Sequence, residues 1–246
     1  MTEASLFPIT LQGVGLRRGA NWVLHGLDLQ LERGGITALV GSNGAGKTSL
    51  LRLIHGLDAP SCGALRFAGK TPPRDGLAFA AQAMVFAHTP LLRGSVEDNL
   101  RLALVATPTD DHRALLNAAL DRAGLKEHAR HSAASLSSGQ RQRLALTRAR
   151  MVRPQLLLLD EPCSHLDQQA SAAILRDVQD LAEQGITVLL STHRPEEIAL
   201  AQRVLRLEHG QLQNSHEPLQ PTPRRGGTAP QGDISCSPTY ACTSQV

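Results

Sequence analysis

Between Leu24 and Leu31 the leucines at 27, 29 and 31 alternate with Asp28 and Gln30, the two-residue period of a strand with one buried face. Ile9–Val14 supplies a partner strand, and Arg17-Arg18-Gly19-Ala20-Asn21 a turn-rich connection. Ile36–Val40 (ITALV) is instead apolar throughout, as a strand covered on both faces should be, and it stops at Gly41. Leu50, Leu51, Leu53 and Ile54 then follow at helical spacing up to Gly56, a natural helix stop. Leu156–Leu159 and Ile186–Ser191 repeat the continuous apolar form, and Val204–Leu207 is a last short strand before a turn at Glu208-His209-Gly210. Helical spacing marks Val96–Val105, His112–Ala123 and Gln168–Glu183, and Gly139–Val152 reads as a basic helix ended near Pro154.

Apolar strands alternating with helices predict an α/β fold, with a mainly parallel sheet covered on both faces. The opening strands form an antiparallel side sheet. Residues 1–81 read as the first part of a core and 82–138 as a mostly helical insertion. Residues 139–210 read as the second part of the core. The segment 211–246 holds Pro218, Pro221, Pro223, Pro230 and Pro238, five of the chain's 14 prolines, and reads as a disordered tail.

Composition narrows the possibilities. A chain of 246 residues can bury a substantial core. No apolar run reaches the roughly 18 residues of a membrane span, and Met1–Leu11 lacks a signal-peptide pattern. A soluble, cytoplasmic protein is therefore expected. The net charge of +3 is too small, and aromatics at 2% too scarce, to argue for a nucleic-acid partner. Cys62, Cys163, Cys236 and Cys242 show no metal-ligand spacing and read as free thiols.

Two segments carry the chemistry. Gly41-Ser42-Asn43-Gly44-Ala45-Gly46-Lys47-Thr48, followed by Ser49, fits G-x-x-x-x-G-K-[ST] between a buried strand and a helix. Its main-chain N–H groups form a cradle for phosphate oxygens, Lys47 adds a point charge for the outer phosphates, and Thr48 offers a hydroxyl to Mg²⁺. Asp160-Glu161 follows the apolar run Leu156–Leu159, at the sheet edge where α/β folds bind ligands. Asp160 suits the Mg²⁺ shell, and Glu161 suits a base or orienting group for the attacking water.

Leu136-Ser137-Ser138-Gly139-Gln140-Arg141-Gln142-Arg143 resembles the LSGGQ signature of ABC ATPases, with Ser138 in place of the first glycine. Ser164-His165-Leu166-Asp167 resembles that family's D-loop, and Ser191-Thr192-His193 its switch-histidine segment. The resemblance spans about Ile9–Gly210. It implies the P-loop NTPase fold of ABC ATPases and a head-to-tail homodimer that encloses two ATPs. Ser137, Ser138, Gly139 and Gln140 would meet the partner's ATP, Glu161 and His193 would be catalytic, and Asp167 would link the two sites. It further implies transmembrane permease subunits, a solute-binding protein, and a location on the inner face of the cell membrane.

Two positions depart from the family. Aligning Ala83-Met84-Val85-Phe86 and Leu91-Leu92-Arg93 puts Ala87 where the family carries a glutamine that touches Mg²⁺, and Gln82 stands five residues early. Arg18 occupies the place of the adenine-stacking aromatic; stacking by Arg18, stacking by Trp22 and a solvated Arg18 are the alternatives. Gln82–Phe86, Leu91–Arg93 and Leu207-Glu208-His209-Gly210 look most like tungstate/molybdate-type importers. The function expected is thus a Mg-ATPase that powers solute import, with a cofactor-assembly ABC ATPase or a weakly hydrolysing ATP switch as rivals. His128 and His131 read as surface histidines, and Arg141, Gln142 and Arg143 as the solvated face of the signature helix.

Overall fold

The computed structural model describes residues 5–71, 81–104 and 111–213. The proline-rich segment from residue 214 onward, with Cys236 and Cys242, lies outside the described residues, as does Val105. Strands β1 (Ile9–Arg18) and β2 (Asn21–Leu31) pair antiparallel, and β4 (Cys62–Phe67) lies on the other edge of β1. β4 has no counterpart among the expected strands. Only Leu65 and Phe67 of its six residues are buried, too short an alternation to read against its glycine and cysteine start.

The second sheet has the order β5-β6-β7-β3-β8-β9, formed by Gln82–Val85, Leu156–Asp160, Thr187–Thr192, Ile36–Val40, Arg203–Glu208 and Gln211–Gln213. The paired strands run parallel except β9, which turns back antiparallel to β8. Two expectations are corrected here. Gln82–Val85 is a strand of this sheet rather than the start of the helical insertion, because its main chain is held in register against Leu156–Leu159. Gln211–Gln213 is an ordered strand rather than tail, because the turn at His209-Gly210 returns it onto Arg206–Glu208.

The continuous apolar strands work as the sequence pattern requires. Successive residues point to opposite faces, so Leu156, Leu158 and Leu189 enter one core with α1 (Lys47–His55) and the antiparallel sheet. Leu157, Leu159, Val188 and Leu190 enter a second core, with α4 (Ser138–Met151) and α5 (Gln168–Glu183). Truncating one such leucine to alanine costs about 2–5 kcal/mol, against a total stability of about 5–15 kcal/mol for a typical domain. A third core joins α2 (Val96–Leu104), α3 (His112–Ala123) and Leu144 of α4. α4 thus packs on both units, with Leu144 toward the helices and Leu146 and Ala149 toward the sheet. Gln142, expected on a solvated face, is buried at that seam. The short helix α6 (Pro195–Ile198) follows β7 and opens on proline, which suits a first helical turn.

Candidate active site

The loops that follow β3, β6 and β7 all leave the carboxyl end of the parallel sheet. They bring together residues distant in sequence. The first is the glycine loop. A Cβ on Gly41 would run into the Leu207 carbonyl oxygen, and one on Gly46, whose φ is +104°, would stand 2.8 Å from Leu24 Cδ2. Side chains are excluded at both positions, so the main chain passes tightly between β8 and β2 and opens straight into α1. Lys47 is buried at the start of that helix and donates from Nζ to the carbonyls of Gly41 at 2.9 Å and Ser42 at 3.1 Å. Its charge is therefore fixed at the mouth of the loop.

Thr48, the next residue, points at the end of β6. Its hydroxyl lies 3.0 Å from Asp160 Oδ1 and 2.8 Å from Oδ2. Asp160 is buried, and Ser191 of β7 donates to Oδ1 at 2.7 Å. The Glu161 main-chain N–H in turn donates to the Ser191 hydroxyl and to the Ser191 carbonyl, each at 3.1 Å. These bonds hold Glu161 in the left-handed region at φ +46°. Its carboxylate Oε1 comes within 3.8 Å of both Lys47 Nζ and His193 Nδ1. The phosphate loop, both acids and the switch histidine therefore converge. Ser191 is a site residue to which the sequence reading assigned no role; its place in the third apolar strand was the available signal.

A hard cation with phosphate oxygens fits this donor set. The Thr48 hydroxyl and the Asp160 carboxylate offer oxygen alone, as Mg²⁺ prefers, and the glycine loop leaves main-chain N–H groups, not side chains, to face an anion. Lys47, Thr48 and Glu161 share a cleft with Arg18, Val23 and Ser49. Arg18 Nη2 donates to Asp58 Oδ2 at 2.9 Å, and Arg52 donates to both oxygens of Asp58 at 2.9 and 3.2 Å. The Arg52 hydrogen bond holds the Asp58 carboxyl below the usual carboxylate range. Trp22 lies elsewhere, with the Arg17 guanidinium 5.3 Å from its ring centroid. Of the two residues weighed for stacking, Arg18 lines the cleft and Trp22 does not, and the Arg18 side chain is more than half exposed, as its solvated alternative also allows.

Ala87 lies two residues beyond Val85, which pairs with Leu159 just before Asp160. It therefore follows the strand end nearest the acids, whereas Gln82 pairs with Leu156 at the far end of the same strand. A four-residue strand spans about 13 Å, so Gln82 stands too far away to substitute for Ala87.

The signature forms a separate surface. Ser137 caps α4: its hydroxyl accepts from Gln140 N at 3.2 Å, and Gln140 Oε1 accepts from Ser137 N at 2.9 Å. Ser137, Ser138, Gly139 and Gln140 line a cleft with Leu166 and Asp167. Gly139 is buried there, and a Cβ on it would approach the Ala170 Cβ to 3.1 Å. Asp167 caps α5, accepting from Ala170 N at 2.7 Å. None of these residues belongs to the cleft that holds Lys47 and Glu161. Beneath the D-loop segment, Arg194 Nη1 donates to the Cys163 carbonyl at 2.7 Å, and burial pushes the Cys163 thiol up to about 12, which keeps it unreactive. Glu197 is buried beside it, and desolvation raises its carboxyl above the usual range.

Among the described residues no helix is long and apolar enough to cross a membrane. The ABC transporter family profile matches residues 24–164. The lipoprotein-releasing system ATP-binding protein LolD of Nitratidesulfovibrio vulgaris is 36% identical over 232 residues, covering 89% of this chain and 100% of that protein. The aliphatic sulfonates import ATP-binding protein SsuB 1 of Burkholderia cenocepacia is 41% identical over 206 residues, 83% of this chain; the match spans only 62% of that relative's length. Among solved structures, the dimeric ATP-binding cassette MJ0796 in a post-hydrolysis state, bound to ADP and Pi, superposes with a TM-score of 0.78 at 25% identity over 86% of this chain and 99% of that one. CbiO1 from Clostridium perfringens, part of the ABC transporter complex cbiONQ, gives a TM-score of 0.73 at 25% identity over 84% and 86% of the two chains. With the phosphate loop, acidic strand, signature and switch histidine in their places, the chain belongs to the ABC transporter family as an ATP-binding ATPase.

Proposed function

We propose that this ATPase works as a homodimer that powers solute import through separate membrane subunits. The observation that carries the reading is the separation of the two clefts. One holds Lys47, Thr48 and Glu161, and the other Ser137, Ser138 and Gly139. The two linings share no residue, and a second copy placed head to tail would bring the signature cleft of one chain to the phosphate loop of the other. In that arrangement Gly41–Ser49 cradles the phosphates, with Arg18 beside the base. Thr48 and Asp160 would hold Mg²⁺, which supplies charge neutralisation on the phosphates. Glu161 takes the proton of the attacking water, His193 faces the terminal phosphate, and Ser137 and Gly139 meet that phosphate from the partner. Asp167 sits at the edge of the signature cleft, where it would link the two sites. Binding closes the dimer, and hydrolysis with product release reopens it.

Import is the direction that the SsuB relative's name supports, and the permease subunits and solute-binding protein are those that the family resemblance implies. Contact with those subunits would place the chain on the inner face of the membrane. The tungstate/molybdate resemblance finds no support in these relatives, which are named for sulfonate import and lipoprotein release. Two of the segments that carried it, Gln82–Val85 and Leu207–Glu208, are strands of the ATPase sheet, so their side chains report packing and not a solute.

The test is Mg-dependent hydrolysis by the purified chain beside Glu161→Gln, with dimerisation followed in ATP. Loss of turnover with accumulation of ATP-bound dimers is the expected result. A variant that hydrolyses like its parent would remove Glu161 as the base. Ala87 favours a second reading, an ATP switch that closes and hydrolyses slowly, since alanine brings no oxygen to the metal.

A further inference from the structure

One main-chain amide dictates the protonation of a histidine beside the signature. The Ser137 N–H donates whatever surrounds it, so the Gln140 atom 2.9 Å away is the carboxamide oxygen. The other end of that carboxamide, Nε2, is then a donor, and it lies 3.0 Å from His128 Nε2. His128 Nε2 must accept and carries no proton, so the ring holds its proton on Nδ1. That proton faces His131 Nδ1 at 3.2 Å, which accepts in turn. The path runs from Ser137 through Gln140 and His128 to His131, and it closes only when both imidazoles are neutral.

The histidine turn is itself anchored. His131 N donates to the His128 carbonyl at 2.8 Å, Val96 N donates to the His131 carbonyl at 3.0 Å, and Glu97 N donates to the Ala129 carbonyl at 2.9 Å. The turn therefore rides on the first turn of α2. Its own segment carries the charges of Lys126, Glu127 and Arg130. On the packed elements, Glu97 is ion-paired to Arg101 of α2, and Arg141 of α4 donates to the Leu136 carbonyl at 2.6 Å.

The geometry points to His128, backed by His131, as a positioning residue for the signature. It holds the Gln140 carboxamide in the one orientation that caps the Ser137 N–H. A proton added to His128 Nε2 would set N–H against the carboxamide NH₂, and one added to His131 Nδ1 would set N–H against N–H. Either addition releases the amide and loosens the helix start that meets the partner's phosphate. The inference rests on the reading of Ser137 and Gly139 as contacts to the partner's ATP.

The experiment follows ATP-driven dimerisation by light scattering in a Glu161→Gln background, with binding of a fluorescent ATP analogue to the monomer alongside. His128→Leu should raise the ATP needed for half-maximal dimer about tenfold, the scale of one lost hydrogen bond per site, while analogue binding stays unchanged. His128→Gln offers a carboxamide acceptor in place of the imidazole nitrogen. It should restore dimerisation to the parental ATP requirement. Unchanged dimerisation in His128→Leu, or no recovery in His128→Gln, overturns the inference. Nitrogen NMR of the ring reads the tautomer without any dimer: an Nδ1–H form of His128 supports the inference and an Nε2–H form overturns it. Absence of ATP-driven dimers in a background that binds ATP would instead defeat the two-copy reading, with the tautomer still deciding the role of His128.

Discussion

Ser191 and Asp160 lie opposite each other on adjacent parallel strands, and the serine hydroxyl donates to Asp160 Oδ1 at 2.7 Å. Because the same hydroxyl accepts from Glu161 N at 3.1 Å, one side chain orients both acids. Ser191→Ala keeps the second anchor of Glu161, the Ser191 carbonyl at 3.1 Å. It removes a hydrogen bond to a charged group, worth about 1.5–3 kcal/mol. The expected outcome is a higher Mg²⁺ concentration for half-maximal activity and turnover down by about tenfold or more. An unaltered Mg²⁺ titration would show that Asp160 is oriented without Ser191.

Ala87 follows the strand end nearest Asp160. Ala87→Gln adds a carboxamide there, and we expect a lower Mg²⁺ requirement with faster turnover, or tighter coupling once membrane subunits are present. Steady-state kinetics across a Mg²⁺ series checks this. Identical turnover and coupling would mean that the site has no use for the amide.

Asp58 serves two guanidiniums, Arg18 and Arg52. Asp58→Asn should release Arg18 from its place in the cleft and weaken nucleotide binding severalfold, on the scale of one charge-assisted hydrogen bond, as measured by titration with ADP. The pH dependence follows from the lowered carboxyl: a group depressed in the folded state stabilises above its unfolded value, about 3.9, and that contribution is lost as pH falls through the folded value. The melting temperatures of parent and variant should therefore converge in acid and separate toward neutrality.

Glu197 behaves oppositely. Its carboxyl is raised by desolvation, so the folded chain holds a proton that the unfolded chain releases, and stability falls as pH climbs from the ordinary carboxylate range to the raised value. Glu197→Gln removes that loss. Thermal melts should show the variant gaining a few degrees on its parent, by a wider margin at pH near 8 than near 5. A gap independent of pH would mean that Glu197 is ionised in the fold.

The strands flanking the phosphate loop and acids were legible because continuous apolar runs as short as Leu156–Leu159 suit a strand buried on both faces. The site motifs were legible because their chemistry is local: a glycine loop, a pair of acids and a helix cap each fit within a few residues. What escaped was set by register and by distant partners. Gln82–Val85 becomes a strand through its neighbour Leu156–Leu159, and β4 buries only two side chains. Asp58 and Ser191 acquire roles from groups brought together by the fold, and His128 reaches Gln140 across twelve residues.

For the helix, any acceptor at position 137 would serve: aspartate or asparagine caps about as well as serine. What distinguishes serine is that its oxygen, already accepting from Gln140 N, still owns a hydrogen to give away. A carboxylate would keep the fold and turn an anion aside, whereas threonine would keep both capacities. The fold alone therefore permits a wider alphabet at this position than the proposed phosphate contact would. If Ser137 meets the partner's phosphate as proposed, an aspartate there would yield a well-folded chain that fails to close on ATP, so that stability and function part company at a single atom.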